Sequence, residues 1–176
     1  MAVTINGSAG VTTNSGAVYN SIQGATAVAS TSGTSIDFTG IPSWVERVTV
    51  MLSGVSTNGT SSLRIQIGSG SVEASGYLGS SSAINGAGSA SCSTYSSGFD
   101  YLDVGSAATV RNGAIILSLI GSNIWSAIST ITSSDASRTM NLAGSKTTSG
   151  TLDRVRITTV GGTDTFDAGT INILYE

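Results

Sequence analysis

Two pairs of carboxylates are the residues whose spacing could support catalysis. Asp100 and Asp103 lie three positions apart, and so do Asp164 and Asp167. Two carboxylates can hydrolyse a glycosidic bond when burial raises the pKa of one of them, and carboxylate oxygens also suit Ca²⁺. The same spacing is typical of Asx turns, in which aspartate caps the backbone. We expect this structural role for both pairs, with glycoside hydrolysis and a calcium site as the alternatives.

The sequence lacks the groups on which most catalytic and metal sites depend. It has no histidine and one cysteine, Cys92. Without histidine there is no Ser-His-Asp or Cys-His relay and no imidazole metal ligand. One cysteine cannot form an intramolecular disulfide, a thiolate zinc site or an iron–sulfur site. We therefore predict no enzymatic activity, no cofactor and no bound metal, and an inert Cys92.

Aromatic side chains could bind a partner by stacking, for example on sugar rings. Both tryptophans fall in or beside strand patterns, so we expect them in the core or at an interface. Tyr77, Tyr95 and Tyr101 flank or lie in residues 79–98, the longest stretch without apolar alternation. Long loops of this kind are usually functional or mobile. We therefore expect 79–98 to be a variable surface loop and the three tyrosines to be receptor-binding residues, with ordinary packing as the alternative.

The elements that position these residues are predicted to be β-strands. Ser, Thr and Gly make up 78 of the 176 residues and disfavour helix interiors. Apolar and polar residues alternate along many segments, which is typical of half-buried antiparallel strands. About nine strands are predicted. They lie at residues 36–38, 48–52, 63–67, 72–78, 114–120, 124–132, 139–143, 155–159 and 171–175.

Turn residues between these segments indicate the fold class. Asn58-Gly59 predicts a type I′ hairpin, because both residues tolerate positive φ, and Gly121-Ser122-Asn123 predicts a short loop between two strands. Short antiparallel strands separated by glycine turns favour an all-β fold, an antiparallel β-sandwich that is jelly-roll-like. Residues 1–33 carry only short β-like pieces among Gly, Ser and Asn. We therefore predict an extended N-terminal arm at 1–33 and the sandwich domain at 34–176.

Charge and hydropathy restrict the partners. Charged residues make up 10% of the chain, the net charge is −3, and the seven basic residues are scattered. We expect no nucleic-acid binding, because that function needs a basic patch. The N-terminus lacks the pattern of a signal peptide, and the longest apolar run, 114–117, is too short to span a bilayer, so we expect a soluble protein without membrane insertion. The predicted strand 114–120 is apolar on both faces, which favours a homo-oligomer.

Two segments near the ends of the predicted sandwich carry a family pattern. Residues 36–60 read IDFTGIPSWVERVTVMLSGVSTNGT, and residues 149–176 read SGTLDRVRITTVGGTDTFDAGTINILYE. Together they resemble the C-terminal domain found in many tailed-bacteriophage virion proteins, often labelled tail fibre or structural protein. The resemblance covers residues 34–176 and is strongest at its two ends, and residues 1–7 resemble the start of many phage fibre proteins. No site residue of the family can be transferred.

The resemblance implies a non-enzymatic virion protein, made in the cytoplasm of a host bacterium and carrying a jelly-roll-like domain that is commonly trimeric. One expectation is a tail-fibre-type module that binds a host-surface glycan or protein. The alternative is a capsid-decorating or other structural attachment protein without a receptor role. In both cases we expect residues 1–33 to bind other virion proteins and the chain to form a homo-oligomer, a trimer being favoured.

Overall fold

The computed structural model describes residues 3–6, 10–13, 18–19, 22–103, 106–107, 109–133 and 137–176, with side chains from residue 22 onward. All the secondary-structure elements in this described part are β-strands, which confirms the predicted all-β class. The strands are β1 (Val3–Asn6), β2 (Gly10–Thr13), β3 (Val18–Tyr19), β4 (Gln23–Gly24), β5 (Val28–Ala29), β6 (Ser35–Thr39), β7 (Arg47–Thr57), β8 (Leu63–Ser69), β9 (Ser71–Val72), β10 (Tyr77–Asn85), β11 (Ala90–Tyr95), β12 (Phe99–Asp100), β13 (Arg111–Gly121), β14 (Ile124–Ser133), β15 (Arg138–Thr147), β16 (Arg154–Thr159) and β17 (Phe166–Tyr175).

Two antiparallel sheets pack face to face as a β-sandwich, which confirms that part of the predicted fold. The large sheet has the order β11-β10-β15-β14-β13-β7-β17-β4, and β5 also pairs with β17. The small sheet has the order β12-β8-β16-β6, with β9 added to β8. Strands β1, β2 and β3 form a separate three-stranded sheet. The described part of the chain contains no helix that is long and apolar enough to cross a membrane.

The core lies between the two sheets and follows from the alternation in the sequence. On β7, Val48, Val50 and Leu52 are buried, while the residues between them are partly exposed. On β16, Val155 and Ile157 face the same core from the other sheet. Eight of the nine predicted strands fall inside β6, β7, β8, β13, β14, β15, β16 and β17. A period of two with large apolar residues therefore located these strands correctly.

Residues 22–33 lie along the edge of the large sheet. Strands β4 and β5 pair with β17, and the backbone N–H of Ser30 donates to the carbonyl of Gly169 at 2.9 Å. The hydroxyl of Ser30, a buried residue, donates to the carbonyl of Ala168 at 2.7 Å. These bonds cover a strand edge that would otherwise be open to another chain. Docking of residues 1–33 to other virion proteins stays a prediction, and much of residues 1–21 lies outside the described residues.

The prediction that residues 79–98 form a surface loop is wrong. They form most of a β-hairpin, in which β10 and β11 pair from Gly79 with Tyr95 to Ile84 with Ala90. The alternation is weak because the inward-facing residues of β10 are small. The ring of Tyr95 supplies the missing bulk, since a Cβ placed on Gly79 or on Gly144 would collide with its hydroxyl. One large side chain above two glycines hides the usual strand pattern.

Two smaller predictions are also wrong. Asn58-Gly59 does not close a tight hairpin, because β7 and β8, on either side of it, belong to different sheets. Asn58 instead exchanges hydrogen bonds with Thr165, since its N–H donates to the Thr165 carbonyl and its side-chain oxygen accepts from the Thr165 N–H. The predicted strand 72–78 is broken between Val72 and Tyr77. The loop predicted at 121–123 is confirmed, with positive φ at Ser122 and Asn123 as in a type I′ turn.

Candidate interaction surface

The three tyrosines predicted to bind a receptor lie inside the sandwich. The exposed fraction is 0% for Tyr77, 7% for Tyr95 and 2% for Tyr101. The rings of Tyr77 and Tyr95 both meet Phe99 edge to face, with centroids 4.9 Å and 5.9 Å away. The expectation that they form an exposed contact surface is therefore wrong. The three tyrosines flank a hairpin of small residues, and their rings fill the core beside it.

Each tyrosine hydroxyl has a partner within the protein. The Tyr77 hydroxyl accepts from the N–H of Ile67 at 2.8 Å and donates to the carbonyl of Glu73 at 2.9 Å. The Tyr95 hydroxyl donates to the carbonyl of Ala143, and that of Tyr101 lies 2.6 Å from the Ser129 hydroxyl. Burial raises the pKa of Tyr95 to about 12 and that of the other two further above the ordinary value. These hydroxyls stay protonated. Those of Tyr77 and Tyr101 link the two sides of the sandwich, and that of Tyr95 bonds within the large sheet.

Three of the four candidate catalytic carboxylates are engaged by basic or backbone groups, and the fourth, Asp167, is exposed on β17. Asp100 forms a bidentate ion pair with Arg64, at 2.6 Å and 2.7 Å, and this bond raises the pKa of Arg64. Asp103 forms an ion pair with Arg111, and both side chains are almost completely buried. Asp164 accepts a hydrogen bond from the N–H of Ser61 at 2.8 Å. The geometry therefore supports structural roles for these carboxylates rather than an acid and base facing a substrate.

A third polar cluster joins the two sheets at one end of the sandwich. The ammonium of Lys146 lies 2.5 Å from the carboxylate of Glu73 and 5.6 Å from the ring centre of Tyr77. Glu73 also accepts from the N–H and the hydroxyl of Ser149, both at 2.8 Å. Burial acts to raise the pKa of Glu73, but the hydrogen bonds from Lys146 and Ser149 outweigh it and hold the pKa below the ordinary value. Among the described residues, no group of three or more His, Cys, Asp and Glu side chains could hold a metal ion.

The surface that the structure singles out is the outer face of the large sheet. We define the outer face as the outward-pointing residues of β10, β15, β14 and β13, together with those at the centre of the adjoining β7 and β17. Five of the eight exposed large hydrophobic side chains in the described residues belong to it. They are Leu78 (71% exposed), Ile120 (69%), Ile128 (56%), Ile84 (54%) and Ile124 (37%). Exposed apolar patches of this kind usually mark interaction sites.

Strand register places these residues on one continuous surface. Ile128 on β14 lies directly between Ile116 on β13 and Ala143 on β15. The same row continues to Ser80 on β10 and to Thr49 on β7. The row on one side consists of small or uncharged residues, Ser82, Asn141, Thr130, Ala114 and Met51, and the row on the other side runs from Leu78 through three serines to Arg47. The nearest charged pair, Arg47 with Glu176, stands at one corner.

A shallow depression of about 480 Å³ lies at the centre of the outer face. Among the residues that line it are Ala114, Ile116, Ile128, Thr130 and Asn141. The depression has no charged lining residue, so it offers shape and apolar contact rather than an ionic binding site. The sequence signalled this region only through the two-faced strand 114–120, because the residues from the other strands meet through long-range pairing.

Cys92 lies at the margin of this surface. It is exposed on β11, and its register partner is Ser82 on β10. Trp125 is buried on the opposite side of β14, as part of the core. Trp44 packs against the core, and the centre of its ring lies 6.0 Å from that of Tyr175. The two tryptophans therefore lie in the core or against it, as predicted.

Comparisons with known protein families, with curated proteins and with solved structures gave no match for this chain.

Proposed function

We propose that this protein is a non-enzymatic structural protein of a tailed-bacteriophage particle, a tail-fibre-type module that presents a β-sandwich and assembles as a homo-oligomer, with a trimer favoured. The observation that carries the proposal is the placement of the two segments with the family pattern. The first contains β6 and β7, and the second contains β16 and β17. β6 pairs with β16 and β7 pairs with β17, so segments far apart in the chain form one side of the sandwich together.

The strand pairing supports a jelly-roll fold within this proposal. β6 pairs with β16, β7 with β13 and β8 with β12, while β10 pairs with the next strand, β11. Among these eight strands, the first pairs with the last, the second with the seventh, the third with the sixth and the fourth with the fifth. Such nesting is the arrangement of an eight-stranded jelly roll built from two Greek keys. β14 and β15 are then an inserted hairpin, and β17 is an added strand between β7 and the short strands β4 and β5.

The role of the module on the particle has two versions. A host-binding fibre module needs an exposed recognition surface, and the burial of Tyr77, Tyr95 and Tyr101 removes the one that the sequence suggested. This burial favours the alternative, a capsid-decorating or other structural attachment protein. In both versions the sandwich is displayed on the virion and residues 1–33 provide the attachment.

The copy number of the protein in purified particles tests the proposal. We expect quantitative mass spectrometry of virions from the phage that encodes this chain to detect it at a fixed ratio to the major capsid protein. Hundreds of copies would identify a decoration protein, and a few to a few tens would identify a fibre or tail component. Adsorption of the purified protein to host cells separates a receptor role from a structural one. Absence from washed particles would overturn the proposal.

A further inference from the structure

We infer that the outer face of the large sheet is the surface through which copies of this chain associate with one another. The inference rests on the homo-oligomer in the proposed function and names the surface that forms it. Its first support is the apolar content, since Leu78, Ile84, Ile120, Ile124 and Ile128 are exposed together on one side of the molecule. A soluble domain seldom leaves so many large aliphatic side chains on one face without a partner.

The absence of charge favours a second copy over an unrelated partner. In a closed homo-oligomer, equivalent residues near the symmetry axis approach one another, so a charged residue there lies close to its own copies. The outward residues of β10, β13, β14 and β15 include no Asp, Glu, Lys or Arg. The small sheet carries the ion pairs of Arg64, Arg154 and Arg156 on its outer side, and pairing that side with itself would remove these charges from water.

The shape of the face is compatible with self-association. An interface between identical copies needs a protrusion and a matching depression on the same chain. Ile128 is 56% exposed and lines the depression together with Ala114, Ile116, Thr130 and Asn141. The side chains around it are small, so that the faces of neighbouring copies can approach closely.

The area of the face is sufficient. Six strands about 4.8 Å apart, each running about 30 Å, present roughly 800 Å², which is about what each partner contributes to a stable interface of standard size. The edge strand β11 and the small sheet are left outside this contact. The association therefore leaves most of the sandwich surface free.

The test places a charge at the centre of the face. Ile128→Lys brings like charges together in a homo-oligomer, and we expect light scattering and sedimentation to show a dissociation constant raised at least about tenfold. The matched control is Val160→Lys. Val160 is a large hydrophobic residue, 42% exposed, in the turn between β16 and β17, away from the face. We expect Val160→Lys to remain oligomeric. Mixing Ile128→Lys with Ile128→Asp is expected to restore association.

A second measurement covers the case in which Ile128→Lys does not fold. In a Cys92→Ser background, Thr130→Cys places the one thiol beside the depression with a small change in volume. We expect a maleimide to label this thiol slowly at concentrations where the protein is oligomeric and rapidly after dilution to the monomer. Labelling at the same fast rate in both states would overturn the inference.

The outcomes separate this inference from the proposed function. If the wild-type protein is a folded monomer at micromolar concentration, the inferred interface and the homo-oligomer both fail, while presence in virions is still decided by copy number. If the protein is oligomeric and Ile128→Lys leaves its association unchanged, the copies meet elsewhere and the inference alone fails. If removal of residues 1–21 makes the Thr130→Cys thiol accessible without changing the oligomer, the N-terminal segment covers the face and the inference fails.

Discussion

The two outer faces of this sandwich present different chemistry to water. The outer side of the small sheet carries ion pairs, among them Arg156 with Asp37 and Arg64 with Asp100. The outer face of the large sheet carries serine, threonine, alanine and exposed isoleucine, with no charge on its four central strands. Three of the six ion pairs among the described residues therefore lie on the outer side of the small sheet. The composition suggests a uniformly neutral protein. In the fold, the outer side of the small sheet is charged, whereas the outward residues of β10, β13, β14 and β15 are uncharged.

The comparison implies that polar groups between the sheets stabilise the fold, whereas the ion pairs of the small sheet mainly keep that side hydrated. Net stability of a domain is only about 5–15 kcal/mol, so these two roles differ measurably. Four substitutions test the division, from the largest expected effect to the smallest.

Removal of the buried charge at Asp103 is expected to have the largest effect. Asp103→Ala leaves the guanidinium of Arg111, which is 1% exposed, without its carboxylate. We expect the free energy of unfolding to fall by about 3–5 kcal/mol, measured by urea denaturation. The double substitution Asp103→Leu with Arg111→Met removes both charges and is expected to cost less than the single one. Equal stability of Asp103→Ala and the wild type would contradict the structural role of this pair.

Removal of the Tyr77 hydroxyl is expected to have an intermediate effect. In Tyr77→Phe the N–H of Ile67 loses its partner at 2.8 Å inside the core. We expect a loss of about 1–3 kcal/mol in the same assay, because a buried donor is left unsatisfied. Tyr175→Phe is the control, since Tyr175 is only partly buried and packs on Trp44. A melting temperature of Tyr77→Phe equal to that of the wild type would mean that this hydroxyl contributes no stability.

The Glu73 cluster predicts a response to acid. A carboxylate whose pKa is lower in the folded state stabilises the fold above its unfolded pKa, and this stability is lost as the pH falls through the folded pKa. The pKa of Glu73 lies below its ordinary value of 4.5, mainly through hydrogen bonds from Lys146 and Ser149 that outweigh burial. We expect Glu73→Gln to lower stability by about 1 kcal/mol at pH 7.

The pH dependence of the stability difference between the wild type and Glu73→Gln tests whether the pKa of Glu73 is lowered. The difference between wild type and Glu73→Gln is expected to be constant above about pH 5 and to shrink below pH 4, as Glu73 becomes protonated in the wild type. Urea unfolding at several pH values measures it. A difference that grows on acidification would contradict the lowered pKa.

The smallest effect is expected on the small sheet. Asp37→Asn removes a partner of Arg156 in an ion pair whose side chains are both about a third exposed. Surface pairs of this kind contribute about 0–1 kcal/mol, so we expect little change in the unfolding midpoint. Solubility near the isoelectric point is expected to fall. A loss comparable to that of Asp103→Ala would remove the distinction between interior and outer charges.

The sequence predicted the strands whose core residues are large. Val48 and Val50 on β7, and Val155 and Ile157 on β16, alternate with polar residues and located their strands correctly. β10 and β11 were missed because their inward positions are small and Tyr95 fills the space above Gly79. A pattern of side-chain sizes within one segment contains no information about a ring that arrives from a neighbouring strand.

The candidate site was only partly predictable for a related reason. The two-faced strand at 114–120 pointed to β13, and β13 does contribute Ile116 and Ile120 to the outer face. Leu78 and Ile84 look like unremarkable residues in a serine-rich stretch. They join β13 and β14 on one surface only because β10 pairs with β15 and β15 pairs with β14. Long-range register, which a single sequence does not display, assembles the surface.

The pairing of early strands with late ones also decides when this protein can fold. Asp37 and Arg156, which face each other across β6 and β16, are 119 residues apart in the chain. Contacts between distant residues slow folding, because the loop between them must close before the contact can form. On a ribosome, β6 and β7 emerge long before β16 and β17. The nascent chain therefore exposes unpaired strands until β16 and β17 have emerged, and only then can the sandwich close.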